Sequence, residues 1–137
     1  RQDWRNRLLK IVFGEITVTT EIAVEFDNAL PNWVRIEEVA NKTYQRILEA
    51  SLDKGEASAL AYANDQADCL LIIDDLKGRK YAEQLGIRIT GTLGVLIEAK
   101  LRRHITSVKP ILEKINNTNF RLTPALEKKV LEKANEV

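Results

Sequence analysis

The alternation of apolar and polar positions divides the chain into short helical and extended stretches, and the clearest series of them covers residues 52–92. Asp53 precedes apolar or small residues at Ala57, Leu60, Ala61 and Ala67, near helical spacing. The pattern predicts a helix with Asp53 as its N-cap and Glu56 in its first turn. Residues 69–73 follow as five apolar positions without alternation, which suits a strand covered on both faces, and Asp74 and Asp75 end it. Tyr81, Ala82 and Leu85, with Gly86 behind them, predict a second helix and its glycine cap, after which Ile87-Arg88-Ile89 alternates as a short strand. Helix, strand, helix, strand is the order of right-handed crossover units, whose consecutive strands run parallel. In an open α/β sheet, ligands bind at the carboxyl ends of strands, so the doubled aspartate marks the first place to look for function.

The flanks carry weaker periodicity. Upstream, Trp4, Leu8, Leu9, Ile11 and Val12 form an apolar stripe that ends at Gly14, the pattern of a helix with a glycine cap. Residues 15–19 alternate and are β-branched, predicting a strand, and Thr20 is placed to cap a helix running to Phe26. Glu21 and Glu25 lie one turn apart on that helix. Like charges at this spacing repel by roughly 0.2–0.5 kcal/mol, so a cation or hydrogen bonds are expected beside them. Residues 28–31 read as a turn, residues 33–36 as a strand, and residues 43–51 as a helix with Tyr44, Ile47 and Leu48 on one face. Downstream, Thr90-Gly91-Thr92 turns into a helix through Leu93, Val95, Leu96, Ala99 and Leu101, with a basic end of Lys100, Arg102, Arg103 and His104. Ser107 and Pro110 open another helix, stopped at Asn116-Asn117, and Thr123-Pro124 begin the last one, which carries Leu126, Val130 and Leu131. The expected architecture is an α/β domain spanning residues 1–137, with helices on both faces of a parallel sheet and a helical C-terminal tail.

Composition narrows the chemistry. A chain of 137 residues, 45% of them hydrophobic, is long enough for one real core. Its 21 basic residues are balanced by 20 acidic ones, so attraction to nucleic acid has to be local. The single cysteine, Cys69, excludes a disulfide framework and predicts a reducing, cytoplasmic setting. No apolar run approaches the roughly 18 residues of a membrane span, and no signal peptide opens the chain. One histidine, His104, excludes a multi-histidine centre, the lone cysteine excludes a zinc cluster, and no nucleophile elbow is present. What remains is carboxylates on separate elements, the donors that hard divalent cations take.

The blocks LDKGEASALA, LLIIDD-LKGRKYAEQLG, IRITGTLGVLIEAKLRRH and NFRLTPALEKKVLEKA, in this order, resemble the PIN-domain-like proteins, in a branch associated with nucleic-acid binding and toxin-antitoxin pairs. The resemblance covers nearly the whole chain. It implies a Rossmann-like three-layer α/β/α sandwich with a central parallel sheet, an acidic pocket at the strand ends, and Mg²⁺- or Mn²⁺-dependent cleavage of RNA. By position it makes Glu25, Glu56 and Asp74 the metal ligands, with Asp75 assisting them as a further catalytic carboxylate. Lys77, Arg79, Lys80 and Thr92 become the candidate nucleic-acid contacts. An antitoxin partner and a homodimer are further expectations of the resemblance. Such chains also open with a strand ending in an aspartate. Nothing before Trp4 can be that strand, and the lack of any Met leads us to expect that an N-terminal segment is missing.

Each candidate has a plainer reading. Glu56, three residues after Asp53, is also half of a variant capping box, and Asp74 and Asp75 are also caps for the following helix. Glu25 is also an ordinary solvated helix position. Lys77, Arg79 and Lys80 form a solvated face that steers a phosphate backbone only if the acidic pocket is real. Thr90 and Thr92 are caps first, and hydroxyls beside a metal-bound water second. The competing function is a non-catalytic partner-binding module with the same fold, and a DNA-acting nuclease is a third reading.

Overall fold

A computed structural model describes residues 13–26, 30–116 and 123–136. The helix expected over residues 4–12, the turn at Asn28 and the aromatic Phe120 lie outside the described residues. Strand β1 (Ile16–Thr19) pairs in parallel with β2 (Val34–Glu37), Ile16 opposite Val34 and Thr19 opposite Glu37. Strand β3 (Leu70–Ile72) pairs in parallel with β4 (Arg88–Thr90), Leu70 opposite Arg88. The parallel pairing expected from the sequence is therefore present, as two two-stranded sheets.

The helices are α1 (Thr20–Glu25), α2 (Lys42–Leu48), α3 (Lys54–Asn64), α4 (Leu76–Gln84), α5 (Thr92–Leu101), α6 (Lys109–Asn116) and α7 (Pro124–Lys133). Their ends follow local chemistry. Asp53, Asp75 and Thr123 cap α3, α4 and α7, each side chain accepting the N–H three residues on. At the C-terminus of α4, Gly86 has φ +74 and donates to Glu83 while Ile87 donates to Ala82. This is a Schellman closure, for which a residue without Cβ is the least strained choice. Residues Arg103 and Asn135 close α5 and α7 in the same way at φ 64 and 63.

Four local expectations are corrected. The cap of α1 is Thr19, which is extended and accepts from the Ile22 N–H at 3.2 Å, whereas Thr20 is already helical and its hydroxyl donates to Glu21. The inward face of α2 is Gln45 and Leu48, and Ile47 is 63% exposed. Ala67 lies beyond the end of α3 and is exposed, because Asp65 already closes that helix. In β3, Leu70 and Ile72 are 40% and 37% exposed while Ile73 is buried, so the described residues cover one face of the strand only.

The chain divides into two compact units. In the first, Gly14–Thr92, the core is Val39, Leu48, Leu52, Ala57, Leu60, Ala61 and Ala82. Helix α3 is its axis. It touches β1, β3, α1, α2 and α4, and its buried Ala57, Ala61 and Ala63 let those neighbours come close. The second unit holds the described residues from Leu93 onward together with Phe13, around Val95, Leu96, Ala99, Val108, Leu112, Val130 and Ala134. There the carboxylate of Glu136 accepts from the Val108 N–H at 2.6 Å and the Ser107 hydroxyl at 2.8 Å, fastening the end of the chain to the start of α6.

Candidate acidic site

Four carboxylates surround the start of α3. Glu25, the last residue of α1, lies against the second residue of α3: a Cβ on Gly55 would stand 2.9 Å from its Oε1 and 3.2 Å from its Oε2. Only a glycine leaves that carboxylate its place without a shift. Asp53 accepts from the Glu56 N–H at 2.8 Å, and Asp75 from the Gly78 N–H at 2.8 Å. A buried hydroxyl pair sets the register between the helices that carry these groups. Ser58 Oγ donates to the Gly55 carbonyl at 2.7 Å, which makes Thr19 the donor in the 2.6 Å contact between the two hydroxyls. Thr19 and Ser58 are 2% and 0% exposed, and each hydroxyl both donates and accepts a hydrogen bond. The cap of α1 is thus tied to the first turn of α3, and Glu25 is set relative to Glu56 by buried groups.

The charges in this cluster act on one another. Burial raises the Glu56 carboxyl above its ordinary value, and Asp53, Asp75 and Glu25 push it the same way against a weaker pull from the Asp53 backbone. Glu21, on the same helix as Glu25, has the opposite fate. Burial pushes it up, but hydrogen bonds from Gln45, Lys42, its own backbone and Thr20 outweigh this and hold it at about 2. Lys42, 3.1 Å from Glu21, is the cation expected beside the two glutamates of α1. It serves the one that lies outside the acidic cluster.

Asp74 stands apart from that cluster. Its Oδ1 accepts from the Thr92 N–H at 2.8 Å and its Oδ2 from the Thr92 hydroxyl at 2.6 Å, and it is not among the groups that shift Glu56. Beside it, Arg79 Nη1 donates to the Ile73 carbonyl at 2.9 Å. Gly91 makes room for both: a Cβ there would stand 2.6 Å from Asp74 Oδ1 and 3.0 Å from Arg79 Nη1. Lys77 reaches the Ser51 carbonyl at 3.4 Å, and Lys80 is exposed.

A family model described as a PIN domain matches residues 5–136. The chain belongs to the PIN-domain family. PIN domains are α/β proteins, commonly nucleases, and typically use divalent metals. No curated protein and no solved structure matches the chain. No described helix is long and apolar enough to cross a membrane.

In this PIN domain the carboxylates suit a hard cation by their chemistry, since they are oxygen donors whose mutual repulsion a divalent ion would relieve. Among the described residues, however, no three Asp, Glu, His or Cys side chains come together closely enough to hold one. Of the residues singled out from the sequence, the structure gathers Glu25, Glu56 and Asp75, and it pairs Asp74 with Thr92 and places Arg79 beside them. Sequence reasoning missed Asp53 as a fourth charge of the cluster. It also missed Gly55 and Gly91 as the places where a carboxylate meets backbone. A usable signal for the glycines was there, because each adjoins a candidate site residue, Glu56 or Thr92.

Proposed function

We propose that the chain is a metal-dependent ribonuclease in which Glu25, Glu56 and Asp75 would hold Mg²⁺ or Mn²⁺ on drawing closer than they stand in this structure, with Asp75 in the place expected from the sequence for Asp74, whose oxygens both accept from Thr92. The observation that carries this reading is the gathering of carboxylates at the start of α3, with Glu25 against Gly55, Asp53 on the Glu56 N–H and Asp75 at the head of α4, close enough together to raise the Glu56 carboxyl along with its burial. Such an arrangement costs stability unless a cation is drawn to it. The chemistry such an ion would supply there is activation of water and neutralisation of charge on the phosphodiester. The chain's own residues do the placing. Asp53 and Asp75 fix the first turns of α3 and α4 with one oxygen each, and the Thr19–Ser58 pair fixes Glu25 against Gly55. Asp74 serves differently. By taking both the N–H and the hydroxyl proton of Thr92, it turns the lone pairs of that hydroxyl outward, where they can accept from water or a ribose hydroxyl.

The test is calorimetric titration with Mn²⁺ alongside cleavage of a single-stranded RNA, for the full chain and for Glu56→Gln, Asp75→Asn and Asp74→Asn. Saturable heat and cleavage are expected for the natural sequence and the loss of both in the first two variants. Asp74→Asn should keep the heat and lose part of the rate. A full-length protein that gives neither heat nor cleavage refutes the reading. It would favour the second one, a partner-binding module without activity, whose supporting observation is that no three metal-ligating side chains converge among the described residues. Action as the toxin of a toxin-antitoxin pair, silencing by an antitoxin, homodimerisation, and RNA as the target in preference to DNA belong to the same proposal and rest on the family.

A further inference from the structure

Three basic residues follow the aspartates on α4, and the structure separates them. Lys77 spends its ammonium on the Ser51 carbonyl, and Lys80 is exposed and points to no described acceptor. Arg79 is half-buried and sits at the carboxyl end of β3, beside Asp74 across the bare Cα of Gly91. A guanidinium placed next to a carboxylate normally closes an ion pair with it. Arg79 does not: among the described residues it forms no salt bridge, and its one hydrogen bond goes to a neutral carbonyl, that of Ile73. That bond uses Nη1 and fixes the plane of the fork. The remaining N–H groups of the guanidinium have no acceptor within the described protein, and each oxygen of Asp74 accepts from Thr92 instead.

A half-buried guanidinium held by one neutral carbonyl, and with no carboxylate partner among the described residues, is matched by an oxyanion that offers two oxygens to a planar fork. We propose that Arg79 is the phosphate contact of this site and that it takes one non-bridging phosphodiester oxygen pair of a single-stranded RNA, with Gly91 keeping the space in which the guanidinium lies. The inference rests on the nuclease reading for the class of ligand. It goes beyond that reading by assigning the contact to one of three basic neighbours, and by giving Gly91 a positioning role. A simple structural reading is available for comparison, in which Arg79 only fastens the end of β3 to the first turns of α4.

The two are separated by the salt dependence of RNA binding. Fluorescence anisotropy with a labelled single-stranded RNA, with calcium as the only divalent cation, gives the slope of log K against log salt for the full chain and its variants. Each phosphate contact on a single strand contributes about 0.7 to that slope. Arg79→Gln should lower the slope by about this amount and weaken binding, whereas Arg79→Lys, which keeps the charge but loses the fork, should keep the slope and bind less tightly. Arg88→Gln is the control. It removes an exposed charge at the other end of β4, paired with Asp68, and should leave the slope unchanged. Thermal melts accompany each variant, because loss of the bond to Ile73 alone lowers stability without touching the slope. An unchanged slope in a folded Arg79→Gln protein, or an equal drop in Arg88→Gln, overturns the assignment while RNA binding itself stands. If the natural chain binds no RNA, the nucleic-acid reading falls and this inference with it.

Discussion

Two glutamates show how one residue type is driven in opposite directions within the first unit. Glu21 is held at about 2 by Gln45, Lys42 and Thr20, so its folded form is favoured above its ordinary value of 4.5, and that contribution is lost as pH falls toward 2. Glu56 is raised from the same ordinary value, so its contribution is present below 4.5 and is lost as pH rises through the raised value. At neutral pH the Glu56 charge therefore works against folding. Glu56→Gln should stabilise the metal-free protein at pH 7 by no more than about 1 kcal/mol, because the side chain is partly solvated and its neighbours are screened. The gain should vanish below pH 4.5, and saturating Mn²⁺ should reverse its sign by stabilising only the natural sequence. Urea unfolding at the two pH values, with and without Mn²⁺, measures all of this, and a variant less stable than the natural protein in every condition contradicts it. Asp74 and Asp75 were legible in the sequence because they end an apolar run, and Glu56 because it follows the cap at Asp53, whereas Glu25 was singled out only by the family resemblance. The environment of these residues was not legible, since Gly55 against Glu25 and Ser58 against Thr19 are contacts between elements far apart along the chain.

At the scale of the element, the plainer reading holds for Asp53 and Asp75, both of which cap helices while standing among the carboxylates around Glu56. Asp75 caps α4 with Oδ2 and raises Glu56 with its charge. These two roles separate by substitution. Asparagine caps a helix about as well as aspartate, so Asp75→Asn should leave the melting temperature nearly unchanged and still lose Mn²⁺ affinity. Asp75→Ala should lose both, with a stability cost of about 1 kcal/mol from the cap. If Asp75→Asn binds Mn²⁺ as the natural chain does, the residue is a cap and nothing more. Caps were the most readable features of the sequence, because Asp53, Asp75 and Thr123 act on N–H groups three residues away. The displacement of the first cap from Thr20 to Thr19 shows the limit of that reading. Two adjacent threonines satisfy the same local rule, and the buried partner at Ser58 gives the position to Thr19. The burial of β3 fell outside local rules altogether, since a continuous apolar run does not say how many of its faces the rest of the chain covers.

For the whole molecule, the alternation of helix and strand was enough to foresee parallel pairing, whereas the separation into two cores was not visible. Periodicity tells which positions are apolar and leaves open which elements share them. Every candidate site residue lies in the unit Gly14–Thr92, and the second unit has a closed core of its own, built from α5, α6 and α7. A bound ion stabilises only what unfolds together with its site, by about 2.7 kcal/mol at a concentration 100 times its dissociation constant. Hydrogen exchange with and without Mn²⁺ therefore reads out both the site and the cooperativity of the fold. Amides at the starts of α3 and α4 should gain protection, since the proposed ligands of the ion stand there, and those of β1 and β3 should follow through the shared core. Amides of α6 and α7 should gain little, because a unit with its own core can open without disturbing the first. Equal gains in both units would mean that residues 1–137 unfold as a single domain, and no gain anywhere would remove the metal from the site.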